Sequence, residues 1–298
     1  MKQVVIISGK GGTGKTTLTA AFIALSENKL VADCDVDAAD LHILLNPVIH
    51  QSHVFIGGKK AKIDPQRCTE CGLCETYCRF DAIHNFVVDP IACEGCGFCV
   101  RLCPDDAIDF KVAPSGNYYE SVFGDSEFFH AKLIPGEGNS GKLVSQVKKQ
   151  AEKTMRNNNR EWYFVDGPPG IGCPVNASLT EADFVVAVTE PTISGLHDLE
   201  RLIKLIERFK IPTGVVINKH DLNQEMTQRI ERYAIKSGLT VLGTIPFDEQ
   251  VVKSLLQKKI ITEFPDSIAA REIKTIWTSI QLLLDEPKRS YTDKNIKN

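Results

Sequence analysis

No run of eighteen apolar residues occurs in the 298-residue chain, so no segment reads as a membrane-spanning helix. The N-terminus, MKQVVIISGKGG, lacks a basic region leading into a long apolar stretch, so no secretory leader is expected and the cytoplasm is the expected compartment. Strong charge of one sign is also missing. Lys and Arg number 35 against 38 Asp and Glu, a net charge of −3, which argues against nonspecific nucleic-acid binding. Aromatics are scarce at 7%, yet 43% of residues are hydrophobic, enough for an aliphatic core and too many for a disordered chain.

Cysteine is abundant instead. There are ten, eight of them between Cys68 and Cys103, with Cys34 and Cys173 apart. Thiols clustered in this way in a reducing compartment point to metal ligation rather than to a disulfide scaffold. The same region, 63–113, holds nine acidic and four basic residues, a balance of −5 that leaves +2 for the rest of the chain.

The apolar run Gln3 to Ser8 reads as a buried strand, followed by a glycine loop and a helix over 15–25. A second strand is expected over 30–33 and a helix over 36–45. From Asn46 to about Asn117 the alternation stops, and the chain is rich in Cys, Gly, Pro and Asp with short apolar pieces only. It resumes with a helix over 143–155 and strands over 162–165, 184–188, 215–217 and 240–245, with helices near 195–209 and 224–236. Such alternation predicts an α/β fold, a mostly parallel sheet flanked by helices. A last helix, 267–284, carries an apolar stripe of Ile273, Ile276, Trp277, Ile280 and Leu284 and is expected to pack on the domain. The polar tail EPKRSYTDKNIKN is expected to be disordered.

Gly9-Lys10-Gly11-Gly12-Thr13-Gly14-Lys15-Thr16 fits the phosphate-loop pattern G-x-x-x-x-G-K-[ST] between a predicted strand and a predicted helix. Backbone N–H groups of Gly11, Gly12, Thr13 and Gly14 can curl around phosphate oxygens at a helix N-terminus. Lys15 is placed to reach the β/γ-phosphates, Thr16 to ligate Mg²⁺, and Thr17 to stand near the α-phosphate. A similar-looking stretch, 136–143, ends in Leu143, which cannot ligate Mg²⁺, and is expected to be a loop and helix start.

With its additional Lys10, the loop resembles the KGG-x-GK-[ST] loop of the MinD/ParA family of P-loop ATPases. The resemblance implies an ATP-dependent homodimer in which Lys10 crosses to the partner's nucleotide. It also makes Ala32-Asp33-Cys34-Asp35-Val36-Asp37 the D-x-D segment, with Asp35 positioning the attacking water and Asp33 near Mg²⁺. Trp162 to Gly170 then resembles the Walker B strand and its switch, with Asp166 in the Mg²⁺ shell and Gly170 offering a mobile N–H. Asn218-Lys219-His220-Asp221 reads N-K-x-D, a guanine signal elsewhere. In this family the Asn contacts adenine together with a loop like 245–248, so Asn218 and Pro246 are expected at the base, and ATP is favoured over GTP.

Cys68-x₂-Cys71-x₂-Cys74-x₃-Cys78 repeats 25 residues on as Cys93-x₂-Cys96-x₂-Cys99-x₃-Cys103-Pro104, and RFDAIH after the first run echoes PDDAID after the second. This resembles the bacterial two-cluster ferredoxin module, which implies two [4Fe–4S] clusters. Cys68, Cys71, Cys74 and Cys103 would hold one, and Cys93, Cys96, Cys99 and Cys78 the other, the fourth Cys of each run serving its neighbour. Gly72, Gly95 and Gly97 let backbone approach the cluster sulfurs. Arg79 departs from the pattern, which has Pro there. Two triple-thiol runs fit zinc badly. The expected domains are therefore 1–57 with 117–298 as a discontinuous ATPase domain, and 58–116 as a small inserted ferredoxin-like α+β domain.

Cys173 follows Asp166 at the offset of a cluster-ligating Cys in the related nitrogenase iron proteins. It reads either as an intersubunit ligand for a metal or cluster, or as a small residue near the switch. Cys34 is expected in the core, His50 and His53 in a solvated loop, and Lys148, Lys149, Lys153 and Arg156 on an exposed helix face. The expected function is ATP binding and hydrolysis, coupled through dimer closure to electron transfer or metallocluster assembly with an unknown redox or cofactor-assembly partner. The alternative is a MinD/ParA-like positioning ATPase with structural or oxygen-sensing clusters.

Overall fold

The computed structural model describes residues 1–155 and 160–285. Arg156 and the polar tail from 286 lie outside the described residues. In chain order, β1 (Lys2–Ser8), α1 (Lys15–Ala24), β2 (Lys29–Asp33) and the short α2 (Leu41–Leu45) open the fold. β3 (Val48–Ile63) then leads out to α3 (Leu73–Thr76), β4 (Ile83–His84), β5 (Val87–Val88) and α4 (Phe98–Leu102), and β6 (Ile108–Phe123) returns. β7 (Ser126–Leu133), α5 (Ser140–Met155), β8 (Trp162–Pro169), α6 (Cys173–Leu179), β9 (Phe184–Thr189) and α7 (Ile193–Ile206) follow. The chain continues through β10 (Thr213–Asn218), α8 (Gln224–Lys236), β11 (Thr240–Ile245), α9 (Glu249–Leu256) and α10 (Ile268–Asp285).

Nine strands form one sheet in the order β11-β10-β9-β1-β8-β2-β7-β6-β3, parallel from β11 to β7, with β6 and β3 added antiparallel at one edge. Successive residues of β1 face opposite sides, as the pleat requires. Val5 and Ile7 pack under α5, α6, α7 and α8. Val4 and Ile6 pack under α1 and α10. Burial on both faces explains why β1, β8, β9 and β10 read as continuous apolar runs. On α10, Trp277 is buried with its ring 5.3 Å from Phe22 and 4.8 Å from Trp162, so this helix closes one layer of the core. Among the described residues no helix is long and apolar enough to cross a membrane.

Three expectations are corrected. The segment 46–117 is not merely irregular: β3 and β6 are sixteen-residue strands paired from Val48↔Val122 to Ile63↔Ile108, and β7 lies directly after them. The first half of β3, Val48–Val54, is an exposed edge, so it carries no apolar alternation to read. For the same reason His50 and His53 lie on this strand and not in a loop; His53 is stacked on Tyr118 at 4.7 Å and sits 3.2 Å from Glu120. Lys148 is not on the exposed face. It is buried beside Val144, Val147 and Ala151, and its ammonium donates to Ser178 O at 3.1 Å and Thr180 Oγ1 at 2.9 Å. Lys149 and Lys153 are exposed.

His130 of β7 shows how this edge was made apolar. Its ring stacks on Phe128 at 4.6 Å and on Tyr119 at 4.9 Å, and Nε2 lies 3.0 Å from Ser121 Oγ. Burial, reinforced by His42, holds its pKa down at about 4. The folded protein therefore keeps His130 neutral, and its contribution is complete above the unfolded pKa of about 6.5. That contribution falls as the pH drops from there towards 4, by about 3 kcal/mol in all. His130→Gln is expected to flatten the fall in urea-unfolding free energy between pH 7 and pH 4; an unchanged slope would refute the assignment.

Candidate functional site

Between β1 and α1 the chain turns through Gly12 and Gly14, both in the left-handed region at φ 79° and 90°. A Cβ on Gly14 would stand 2.3 Å from Asn218 Nδ2, so only glycine fits. The loop opens a basin lined by Gly11 to Thr17 together with Asp35 and Pro169. Beneath it the structure brings together Lys15, Thr16, Asp35 and Asp166. Lys15 is 6% exposed, with Nζ 2.9 Å from Asp166 Oδ1 and 3.4 Å from Asp35 Oδ2. Thr16 Oγ1 donates to Asp166 Oδ2 at 2.9 Å. Thr19, one turn further along α1, donates to Asp166 Oδ1 at 2.8 Å; the motif does not include it, though its i+4 spacing from Lys15 would have found it.

Asp33, at the end of β2, pairs across the sheet with Asp166 and is fully buried. Its carboxylate accepts from Asp35 N at 3.0 Å and Leu41 N at 3.3 Å, which ties the D-x-D turn to the start of α2. Burial and the neighbouring Asp166 push the Asp33 carboxyl well above the usual range, against the pull of Lys15. Burial raises Asp35 too, with Lys15 opposing. Burial alone would lower Lys15, but Asp166, Asp35 and Asp33 outweigh it and raise its pKa. One ammonium thus serves as the common counter-charge of three carboxylates.

Beside this basin lies a second cavity of about 230 Å³ whose walls include Gly12, Thr17, Asn218, Pro246, Phe247 and Val251. Asn218 is anchored by donating from Nδ2 to Thr13 O at 2.8 Å. Asp221, the last residue of N-K-x-D, accepts from Phe247 N at 2.7 Å and so braces the 245–248 loop.

Lys10 turns back on its own chain, 2.6 Å from Glu190 and 3.1 Å from Ser194 Oγ. Burial would raise the Glu190 carboxyl, but Lys10 and Lys219 hold it below its ordinary value. Gly170 sits at φ 91° with its N–H donated to Ser8 O at 2.9 Å. Cys173 is the first residue of α6; it is exposed, and its Cβ lies against Gly141. Cys34 is fully buried, which pushes its thiol pKa up.

The other eight cysteines sort into two hollows beyond the far ends of β3 and β6. One is lined by Cys68, Cys71, Cys74 and Cys103, the other by Cys78, Cys93, Cys96 and Cys99. The last cysteine of each run therefore lines its neighbour's hollow. The two halves repeat in detail: Ala82 N donates to Cys78 Sγ at 3.4 Å, and Ala107 N to Cys103 Sγ at 3.3 Å. Gly72 and Gly97 begin α3 and α4 at φ 77° and 70°. Gly95 (φ 64°) passes so close to Lys59 O that a Cβ would stand at 2.2 Å. Arg79, where Pro was expected, lines the second hollow with its guanidinium over Phe80. Burial raises the thiols of Cys74 and Cys99, so loading metal there would release protons. Among the described residues no three His, Cys, Asp or Glu side chains are gathered as for a single metal ion. The four thiols of a cubane each bind a different iron and stand apart, and a hollow with four thiols in its wall fits that donor set.

The model of the CobQ/CobB/MinD/ParA nucleotide binding domain matches residues 4–261. An uncharacterized protein of Methanocaldococcus jannaschii is 33% identical over 282 residues, covering 94% of this chain and 96% of its own. The septum site-determining protein MinD of Bacillus subtilis is 23% identical over 91% of this chain and 87% of its own. Among solved structures, MinD of Pyrococcus horikoshii complexed with Mg-ADP superposes with a TM-score of 0.57 at 17% identity, covering 95% of this chain and 97% of that one. MinD in the MinC:MinD complex of Aquifex aeolicus gives 0.57 at 19% identity over 96% and 97%. The fold, the phosphate loop and the family match agree, and the chain belongs to the CobQ/CobB/MinD/ParA nucleotide-binding family.

Proposed function

We propose that this protein is an ATP-hydrolysing iron–sulfur protein in which nucleotide-driven closure of a homodimer is coupled to electron transfer or metallocluster assembly. Residues 1–57 and 117–298 form its ATPase domain, and 58–116 an inserted ferredoxin-like domain. The observation that carries the reading is the sorting of eight cysteines into two four-thiol hollows. Both hollows lie on a stalk, β3 and β6, continuous with the nucleotide-binding sheet. When bound there, a [4Fe–4S] cluster supplies one-electron storage at a potential set by its surroundings.

The chain's own groups divide the remaining work. Gly11 to Gly14 and Lys15 hold the phosphates, and Thr16, Asp33 and Asp166 form the Mg²⁺ shell. Asp35 orients the attacking water. Lys10 leaves Glu190 to reach a partner's nucleotide, and Gly170 exchanges its bond to Ser8 O for the γ-phosphate. Asn218 and Pro246 contact the base. Because Asp221 is held by Phe247 N, the group that would read guanine is already engaged, which supports ATP. Cys173, exposed beside the switch, is the candidate intersubunit ligand.

The test is anaerobic purification and EPR of the dithionite-reduced protein with and without MgATP. A nucleotide-dependent change in cluster signal, lost in Lys15→Ala, is the expected result. Two [4Fe–4S] signals blind to nucleotide would remove the coupling. The MinD relatives favour a second reading, a positioning ATPase with structural or oxygen-sensing clusters. Recovery of lipid or DNA in an ATP-dependent anaerobic pull-down would select it.

A further inference from the structure

The segment 134–142, which runs from the end of β7 into the first turn of α5, touches both the cysteine-bearing region and the nucleotide switch. On the first side, Glu137 Oε1 lies 2.6 Å from Lys60 Nζ, with the two side chains only 13% and 17% exposed. Lys60 also donates to Pro90 O. Gly136 sits at φ 82° and packs so tightly on Ile91 that a Cβ would stand 2.8 Å from Ile91 Cγ2. Pro90 and Ile91 lead directly into Cys93. The second cysteine run is thus gripped from outside by Gly136 and Glu137.

On the second side, Gly141 in the first turn of α5 packs on Cys173, where a Cβ would stand 3.1 Å from the Cys173 Cβ and 3.3 Å from its carbonyl carbon. Further along α5, the buried Lys148 donates to Ser178 O and Thr180 Oγ1 at the end of α6. Its charge also suits a helix C-terminus. The helices α5 and α6 are therefore fastened to each other at both ends of α6. Because α6 starts three residues after Gly170, movement of the 166–170 segment displaces α6, and α5 follows. Close-packed elements joined in this way transmit displacement rather than absorb it.

We infer that Glu137 is a positioning residue which, paired with Lys60, couples the switch at 166–173 to the cysteine run at 93–99. The inference rests on the proposed function, in that the insert responds to nucleotide at all. A mostly buried ion pair suits such a latch, because removing one partner leaves the other charge buried and frees the contact.

The experiment follows amide hydrogen exchange in peptides spanning 90–100 and 134–142 of the cluster-loaded full chain, before and after MgATPγS. Loading is confirmed by iron and sulfide analysis. In the wild type, nucleotide is expected to change exchange in 90–100 by about fivefold or more, within the usual span of allosteric coupling. In Glu137→Lys the change should vanish while nucleotide still binds, and Lys60→Glu combined with Glu137→Lys should restore it. Glu137→Gln, nearly isosteric, serves if the charge reversal does not fold. A wild-type response that persists in Glu137→Lys, or in Glu137→Gln where that variant stands in for it, would overturn the inference and leave the proposed function standing. A loaded wild type that does not respond, or a chain that takes up no iron, would overturn both.

Discussion

Lys15→Ala should lower the ATP hydrolysis rate by about 10²- to 10³-fold, the usual effect of deleting one preorganised charge from a phosphoryl-transfer site. The same substitution should also change the nucleotide-free protein, for a different reason. Lys15 is the ammonium among Asp33, Asp35 and Asp166, at 2.9 Å from Asp166 and 3.4 Å from Asp35. Without it, buried carboxylates face one another with no counter-charge, at a cost of about 3–5 kcal/mol by analogy with broken buried ion pairs. A divalent cation can replace the missing charge, so Mg²⁺ alone should raise the thermal midpoint of the variant more than that of the wild type. If the ion enters among the same carboxylates as proposed, the wild type must first move Lys15 away from Asp166, 2.9 Å from its ammonium. Calorimetry with Mg²⁺ or EDTA in the absence of nucleotide tests this. Equal shifts in both proteins would mean that Lys15 does not occupy the cation position.

How much could be read in advance depended on how strongly each residue's environment is dictated by its neighbours in sequence. The phosphate loop is a local structure: Gly12 and Gly14 need left-handed backbone, and a strand and a helix must flank them, so spacing alone located it. The parallel strands were legible because two buried faces leave only apolar residues, as in Val4 to Ile7. The edge made by β3, β6 and β7 was not. Val48 to Val54 are mostly exposed, and an edge strand that buries little on either face shows neither alternation nor a continuous run. Lys148 failed for another reason. Charge groups it with Lys149 and Lys153, although its position four residues from Val144 and three from Ala151 puts it on the apolar stripe of α5. Its partners, the carbonyl of Ser178 and both oxygens of Thr180, are some thirty residues away in sequence, so no local rule could supply them. Glu137 and Lys60 likewise meet only because β3, β6 and β7 are adjacent in space.

The crossed arrangement of the cysteines makes the most discriminating prediction. If the hollows hold clusters as proposed, Cys71→Ala and Cys103→Ala should abolish one and the same EPR signal, although the two positions belong to different runs. Cys96→Ala and Cys78→Ala should abolish the other. Each should lower iron from about eight to about four per chain, since every cubane carries four. Cys71 and Cys96 are exposed, so their loss removes a ligand without opening a cavity in the core, and a change in iron content reports ligation rather than unfolding. Had each run of four cysteines held its own cluster, Cys71 and Cys78 would instead share a signal. Cys34→Ser should leave iron content unchanged, because its thiol is buried beside β2 and its raised pKa keeps it protonated. If Cys173 ligates metal between two subunits as proposed, Cys173→Ser should leave the iron of the monomer unchanged and alter only that shared metal, visible as a loss of absorbance in the presence of ATP. About two zinc ions per chain with no EPR signal would show that the eight thiols form mononuclear sites, and the redox reading would fall with the clusters.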